Sequence, residues 1–152
     1  MALLLVARGP RAAGAAWEDY AVPARWPSWS PQVRGVEVSA PRIAVGVRGA
    51  VRAPLGVRVP FEVTAVDEAA RTWSWRVGAG PLSAELEHRV VAVPGGSLTE
   101  LRLSPALLCA PYAPPAQLAL RRLVGARAGA DPSAGLSAGG SATARRRWPR
   151  RR

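Results

Sequence analysis

The chain carries one histidine, and its setting gives that histidine chemistry to do. His88 stands in Leu82-Ser-Ala-Glu-Leu-Glu-His-Arg-Val90, where apolar and polar residues alternate. Leu82, Ala84, Leu86 and Val90 share one side, and Ser83, Glu85, Glu87 and Arg89 the other. Strand side chains alternate with a period of two, so His88 is predicted to point inward with the apolar set. An inward imidazole can hydrogen-bond a ligand oxygen or serve as general acid and base toward an enolisable ketone. It can equally be a core histidine satisfied by a neighbouring side chain or carbonyl. His88 is the one catalytic candidate, and no catalytic role is otherwise assigned. Trp73 and Trp75 share a face of the preceding strand and can stack on a flat ligand ring or simply pack the core.

Other chemistries lack their residues. One cysteine, Cys109, permits no intramolecular disulfide, suits a reducing cytoplasm, and reads as a small buried apolar residue. One His and one Cys fall short of the three or four ligands of a zinc site, so neither metal nor cofactor is expected. No inward strand position pairs two carboxylates, no glycine-rich segment has phosphate-loop spacing, and no Gly-x-Ser-x-Gly elbow occurs.

The elements that must position His88 follow from periodicity. Residues 2–8 suit a strand. Helical spacing of Ala13, Ala16, Trp17 and Tyr20 predicts a helix to about Ala21, and a second short one spans Ala24–Trp29 between prolines. Strands are predicted at 33–39, 42–52, 57–67, 71–77, 82–93 and from Ser97 on. In the 42–52 segment Ile43, Val45, Val47 and Val51 are assigned one face. In the next, Val57, Val59, Phe61 and Val63 share the inner face. Short links make neighbours antiparallel hairpins. Residues 112–127 form an amphipathic helix whose stripe is Ala116, Ala119, Leu120, Leu123 and Val124.

The 152 residues suffice for one domain with a real core. All 21 basic residues are arginine, and the net charge is +11. Residues 1–127 hold 15 Arg against 9 acids, whereas 128–152 hold six Arg against Asp131 alone. The interleaved Arg and Glu on the strands read as a solvated sheet face. From Ala128 the chain is Gly-, Ala- and Ser-rich and ends in arginines around Trp148, a composition that predicts disorder. Nucleic acid or an anionic membrane is a partner only through residues 145–152, by charge and by Trp148. No run reaches the roughly 20 apolar residues of a membrane span.

Particular words add a resemblance. Trp17-Glu-Asp-Tyr20, Pro23-Ala-Arg-Trp26 and Trp29-Ser-Pro31 resemble the helical segment of bacterial SRPBCC proteins. Gly46-Val-Arg-Gly49, Pro60-Phe-Glu-Val63, Val66-Asp67 and Trp73-Ser-Trp-Arg-Val77 resemble their middle strands. Tyr112-Ala-Pro114 and Ala119-Leu-Arg-Arg-Leu-Val124 resemble their final helix. That superfamily includes START-like lipid carriers, plant-pollen-allergen-like proteins and polyketide cyclases/dehydrases. The resemblance implies an α+β helix-grip fold over residues 1–127: a seven-stranded antiparallel sheet wrapped around a C-terminal helix, with two small helices after strand one.

It also implies a cavity for a hydrophobic, lipid- or polyketide-like molecule between sheet and helix. Tyr20, Trp26 and Trp29 then fall at its mouth, where they meet ligand or staple the small helices to the sheet. The expected ligand-binding set is His88, Trp73, Trp75, Phe61, Tyr20, Trp29, Leu86 and Leu120. The alternatives are a cyclase/dehydratase in which His88, with Tyr20 or a tryptophan, moves protons on a polyketone, and a surface-binding protein led by the arginine tail.

Overall fold

A computed structural model describes residues 1–126; the Arg-rich segment beyond Ala128 lies outside them. Strand β1 (Leu3–Gly9) leads into α1 (Ala13–Ala21), a 3-10 turn at Pro23–Arg25 and α2 (Trp26–Trp29). Six strands follow: β2 (Gly35–Val38), β3 (Arg48–Arg52), β4 (Arg58–Asp67), β5 (Thr72–Val77), β6 (Ala84–Val93) and β7 (Gly96–Ser104). The last helical segment comprises α3 (Ala106–Cys109), a 3-10 turn at Ala110–Tyr112 and α4 (Ala113–Val124). Pro111, Pro114 and Pro115 lack the N–H that an unbroken α-helix needs, which accounts for the tighter turn between α3 and α4.

All pairings are antiparallel, and the order across the sheet is β1-β7-β6-β5-β4-β3-β2. Each strand from β2 onward pairs with the next, because the links are too short for a crossover. The two small helices carry the chain from β1 on one edge to β2 on the other.

Alternation then sorts the faces. Ser97, Thr99, Leu101 and Leu103 of β7, with Leu86, His88 and Val90 of β6, are buried on the side covered by the helices. The stripe of α4 predicted from spacing, Ala116, Ala119, Leu120, Leu123 and Val124, is buried there too. The outer face bears cross-strand ion pairs, among them Arg76–Glu85 at 2.9 Å and Arg48–Glu62 at 3.4 Å. These pairs are exposed, and each contributes about 1 kcal/mol at most.

Three sequence expectations need correction. Residues 42–47 do not extend β3. Arg42 leaves the sheet to bridge Glu18 of α1 and Glu68 of the β4–β5 turn, at 3.0 and 2.8 Å. Ile43 and Val47 are buried in this loop, but Val45 is 67% exposed, and Gly46 takes the left-handed backbone at φ +87°. Val57 lies outside β4 and is exposed. Leu82 is 70% exposed, because Gly80–Leu82 forms a 3-10 turn before β6 begins.

Gly49 shows how tightly the far edge is built. It pairs with Phe61 across β3 and β4, and the ring lies over the bare Cα. A methyl group there would strike the Glu37 carbonyl oxygen and sit 2.9 Å from Phe61 Cζ. Gly49→Ala should therefore destabilise the fold by about 1–3 kcal/mol, read as a lower urea midpoint at unchanged slope.

Candidate functional site

Strand register places the aromatic side chains around the histidine. His88 stands directly opposite Trp73 on β5 and Leu101 on β7. Directly paired residues on one face approach closely, and the His88 and Trp73 rings stack at 4.5 Å between centroids and 10° between planes. Trp75, two residues along β5, donates its Nε1–H to His88 Nε2 at 3.1 Å. Nε2 is therefore the bare nitrogen, and the neutral ring carries its proton on Nδ1. Nδ1 is buried and has no hydrogen-bond partner, as are and have the Trp73 indole nitrogen and Gln32 Oε1. Leaving such a group unmade costs about 1–3 kcal/mol. Burial alone pushes the His88 pKa down from 6.5 to about 3.

The end of the interior nearest α1 is filled rather than hollow. Tyr20 is buried, packs edge-on against Trp29 at 5.4 Å and shares a hydrogen bond with Thr99 Oγ1 at 2.8 Å. Trp26 donates to the Tyr20 carbonyl at 2.9 Å and Trp29 to the Asp19 carbonyl at 3.2 Å, so both staple α2 to α1. Phe61 packs on Trp26 and Trp75 at 5.5 and 5.3 Å. Burial also raises the Tyr20 pKa far above the usual phenol range.

Beneath the helical segment, open space lies in two adjoining hollows. The inner one, of about 30 Å³, is lined by Trp29, Trp73, Leu86, His88 and Leu120, among others. The outer one, of about 390 Å³, runs between the ends of β4–β6 and α3, walled by Val51, Val59, Val77, Ala84, Leu103 and Cys109. Exposed Leu82 and Leu108 stand at its rim. Gln32, Val33, Trp75, Leu86 and Tyr112 line both hollows. Gln32 Nε2 donates to Tyr112 Oη at 2.7 Å, a bond across the boundary between them. No charged side chain lines either space. Among the described residues no cluster of His, Cys, Asp and Glu is fit to hold a metal, and no helix is long and apolar enough to cross a membrane.

A seven-stranded sheet closed over a C-terminal helical segment, with a hollow between, is an architecture with known members. The family model described as polyketide cyclase/dehydrase and lipid transport matches residues 6–136. The chain belongs to this family. No curated protein matches the sequence. Solved structures agree in fold, which is the helix-grip fold. The ginseng major latex-like protein 151 from Panax ginseng superposes with a TM-score of 0.67 at 15% identity, over 81% of this chain and 94% of that one. A protein from Nitrosospira multiformis gives 0.66 at 14%, over 82% and 94%. Ara h 8.0201 gives 0.64 at 15%, over 81% and 94%.

In this family member the residues singled out from sequence divide. His88, Trp73, Trp75, Trp29, Leu86 and Leu120 line the inner hollow, and two of these, Trp75 and Leu86, reach the outer one. Tyr20 and Phe61 line neither, since other rings cover them; the cavity mouth lies at Leu82 and Leu108, not at Tyr20. Sequence reasoning missed Gln32 and did not assign Tyr112 to the site. Gln32 follows Pro31 in a loop without periodicity, and Tyr112 sits in the 3-10 turn among prolines.

The neutral imidazole makes stability depend on pH. His88 titrates near 6.5 in the unfolded chain and near 3 in the folded one, so below pH 6.5 the unfolded state binds the extra proton. Stability present above pH 6.5 should fall toward pH 3, with a slope approaching about 1.4 kcal/mol per pH unit. Between pH 6 and 5 most carboxylates stay charged, so chemical denaturation there should show a slope steeper by nearly this amount in the native protein than in His88→Phe.

Proposed function

We propose that the protein binds an uncharged hydrophobic small molecule, lipid- or polyketide-like, beneath its C-terminal helical segment. The observation that carries this reading is the outer hollow: about 390 Å³, apolar on nearly every wall, open at one end and free of charged lining. Small-molecule sites are concave and mostly apolar with a few placed polar groups, and Gln32 and Tyr112 supply those here. Each 100 Å² of apolar ligand surface taken from water contributes about 2.5 kcal/mol before the cost of association. The family's polyketide cyclase/dehydrase and lipid transport description supports a hydrophobic ligand.

Enclosure is favoured over turnover. His88 Nε2 is engaged by Trp75, and burial leaves the ring a feeble base. A cytoplasmic setting fits the single buried thiol of Cys109. Interaction of residues 145–152 with nucleic acid or membrane lies outside the described residues.

A neutral apolar dye such as Nile red should bind the purified chain saturably and be displaced by uncharged long-chain lipids. Ala84 lines the outer hollow at the start of β6. Ala84→Trp fills the space and should weaken binding about tenfold or more while the far-UV circular dichroism is unchanged. Saturable binding that survives this blockade in a folded variant removes the outer hollow as the site.

A further inference from the structure

The inner hollow is small, but its polar atoms are of a particular kind. Three residues that line it each carry a buried side-chain atom with no partner: His88 Nδ1, Trp73 Nε1 and Gln32 Oε1. His88 and Trp73 are 6% and 2% exposed, so water outside the protein does not satisfy them. An indole N–H only donates. With Nε2 of His88 accepting from Trp75, Nδ1–H is a donor as well. With Nε2 of Gln32 given to Tyr112, Oε1 is left as an acceptor.

We infer that the inner hollow receives the uncharged, oxygen-bearing end of the ligand, a hydroxyl or ketone, held by His88 and Trp73 as donors and by Gln32 as acceptor. The inference rests on the enclosure reading above. It assigns the ligand a direction: apolar body in the outer hollow, oxygen inward past Gln32 and Tyr112, the pair that borders both spaces. The volume of about 30 Å³ accommodates a small functional group and no more of the molecule.

The same walls reject charge. Neither hollow offers an arginine to a carboxylate or phosphate, nor a carboxylate to an amine. Burying an unpaired ionic head is far costlier than burying a neutral one that is hydrogen-bonded. The ligand class is therefore a neutral alcohol or ketone on an apolar frame, rather than a fatty acid, a phospholipid head or an amine. A hydroxyl answers all three orphaned atoms by accepting and donating at once; a ketone answers the two donors.

A matched series tests this on the full chain: octane, 1-octanol, 2-octanone, octanoate and octylammonium, each competing with Nile red. The alcohol and the ketone should bind about tenfold tighter than octane, and the two ions no tighter than octane. In protein carrying ¹⁵N-labelled indole, the Trp73 Nε1–H resonance should shift downfield with octanol and stay in place with octane. Trp73→Phe, if folded, should shrink the ratio of octanol to octane affinity several-fold. Equal binding of alcohol, ketone and alkane with a stationary Trp73 signal overturns the inference while enclosure stands. Tightest binding by octanoate or octylammonium overturns it too. Failure of every compound and of Nile red to saturate the protein overturns enclosure itself, and the inference with it.

Discussion

The pleat of β6 commits one imidazole to the interior, and the surrounding interactions answer that commitment. A charged ring could not remain there without a counter-charge, and no carboxylate lines the inner hollow, so the ring is neutral. Neutrality lets Trp73 lie flat on it and lets Trp75 donate to Nε2. Those two contacts fix the indoles, and the indoles in turn seat Trp26, at 5.6 Å from Trp73 and 5.0 Å from Trp75. Trp26 then holds α2 against α1 through the Tyr20 carbonyl. The small-helix segment is thus anchored to the sheet by aromatic groups gathered around a single uncharged ring.

Filling one end of the interior so densely leaves the other end short of side-chain volume. Tyr20, Trp26, Trp29, Phe61, Trp73 and Trp75 crowd toward α1 and α2. At the far end many of the wall residues are small, among them Ala53, Val59, Val77, Gly78 and Ala84. Close-packed interiors seldom leave such space without a reason, and here the reason is the uneven distribution of large and small inward residues along the sheet.

Much of this was legible in residue order. One-sided periodicity located β4 to β7 and the α4 stripe, since a half-buried strand and an amphipathic helix both write their inner face directly. The inward direction of His88 followed from the same rule. Residues 42–47 misled because Ile43 and Val47 are buried by a loop that mimics strand alternation, while Val45 between them faces water. The position of the hollow was not legible. Alternation names which side chains point inward, but whether they meet depends on ring orientations set by cross-strand and diagonal contacts. Gln32 and Tyr112 escaped for a related reason: a loop and a 3-10 turn have no face until tertiary packing orients them.

The environment of His88 also separates two chemistries that its residue type alone leaves open. A general base needs a pKa near the working pH and a lone pair free to face the substrate. Here desolvation holds the ring near 3, and its one lone-pair nitrogen is occupied by the Trp75 indole. A hydrogen-bond donor needs the opposite: a proton held firmly on Nδ1, in a dry site, with nothing else to take it. Desolvation supplies the dryness and neutrality, and the Trp75 contact supplies the tautomer. One arrangement cannot serve both ends, because freeing Nε2 for proton abstraction would remove the contact that keeps Nδ1 protonated. The packing that makes this imidazole a weak base makes it a well-directed donor, which is the quality a binding cavity uses.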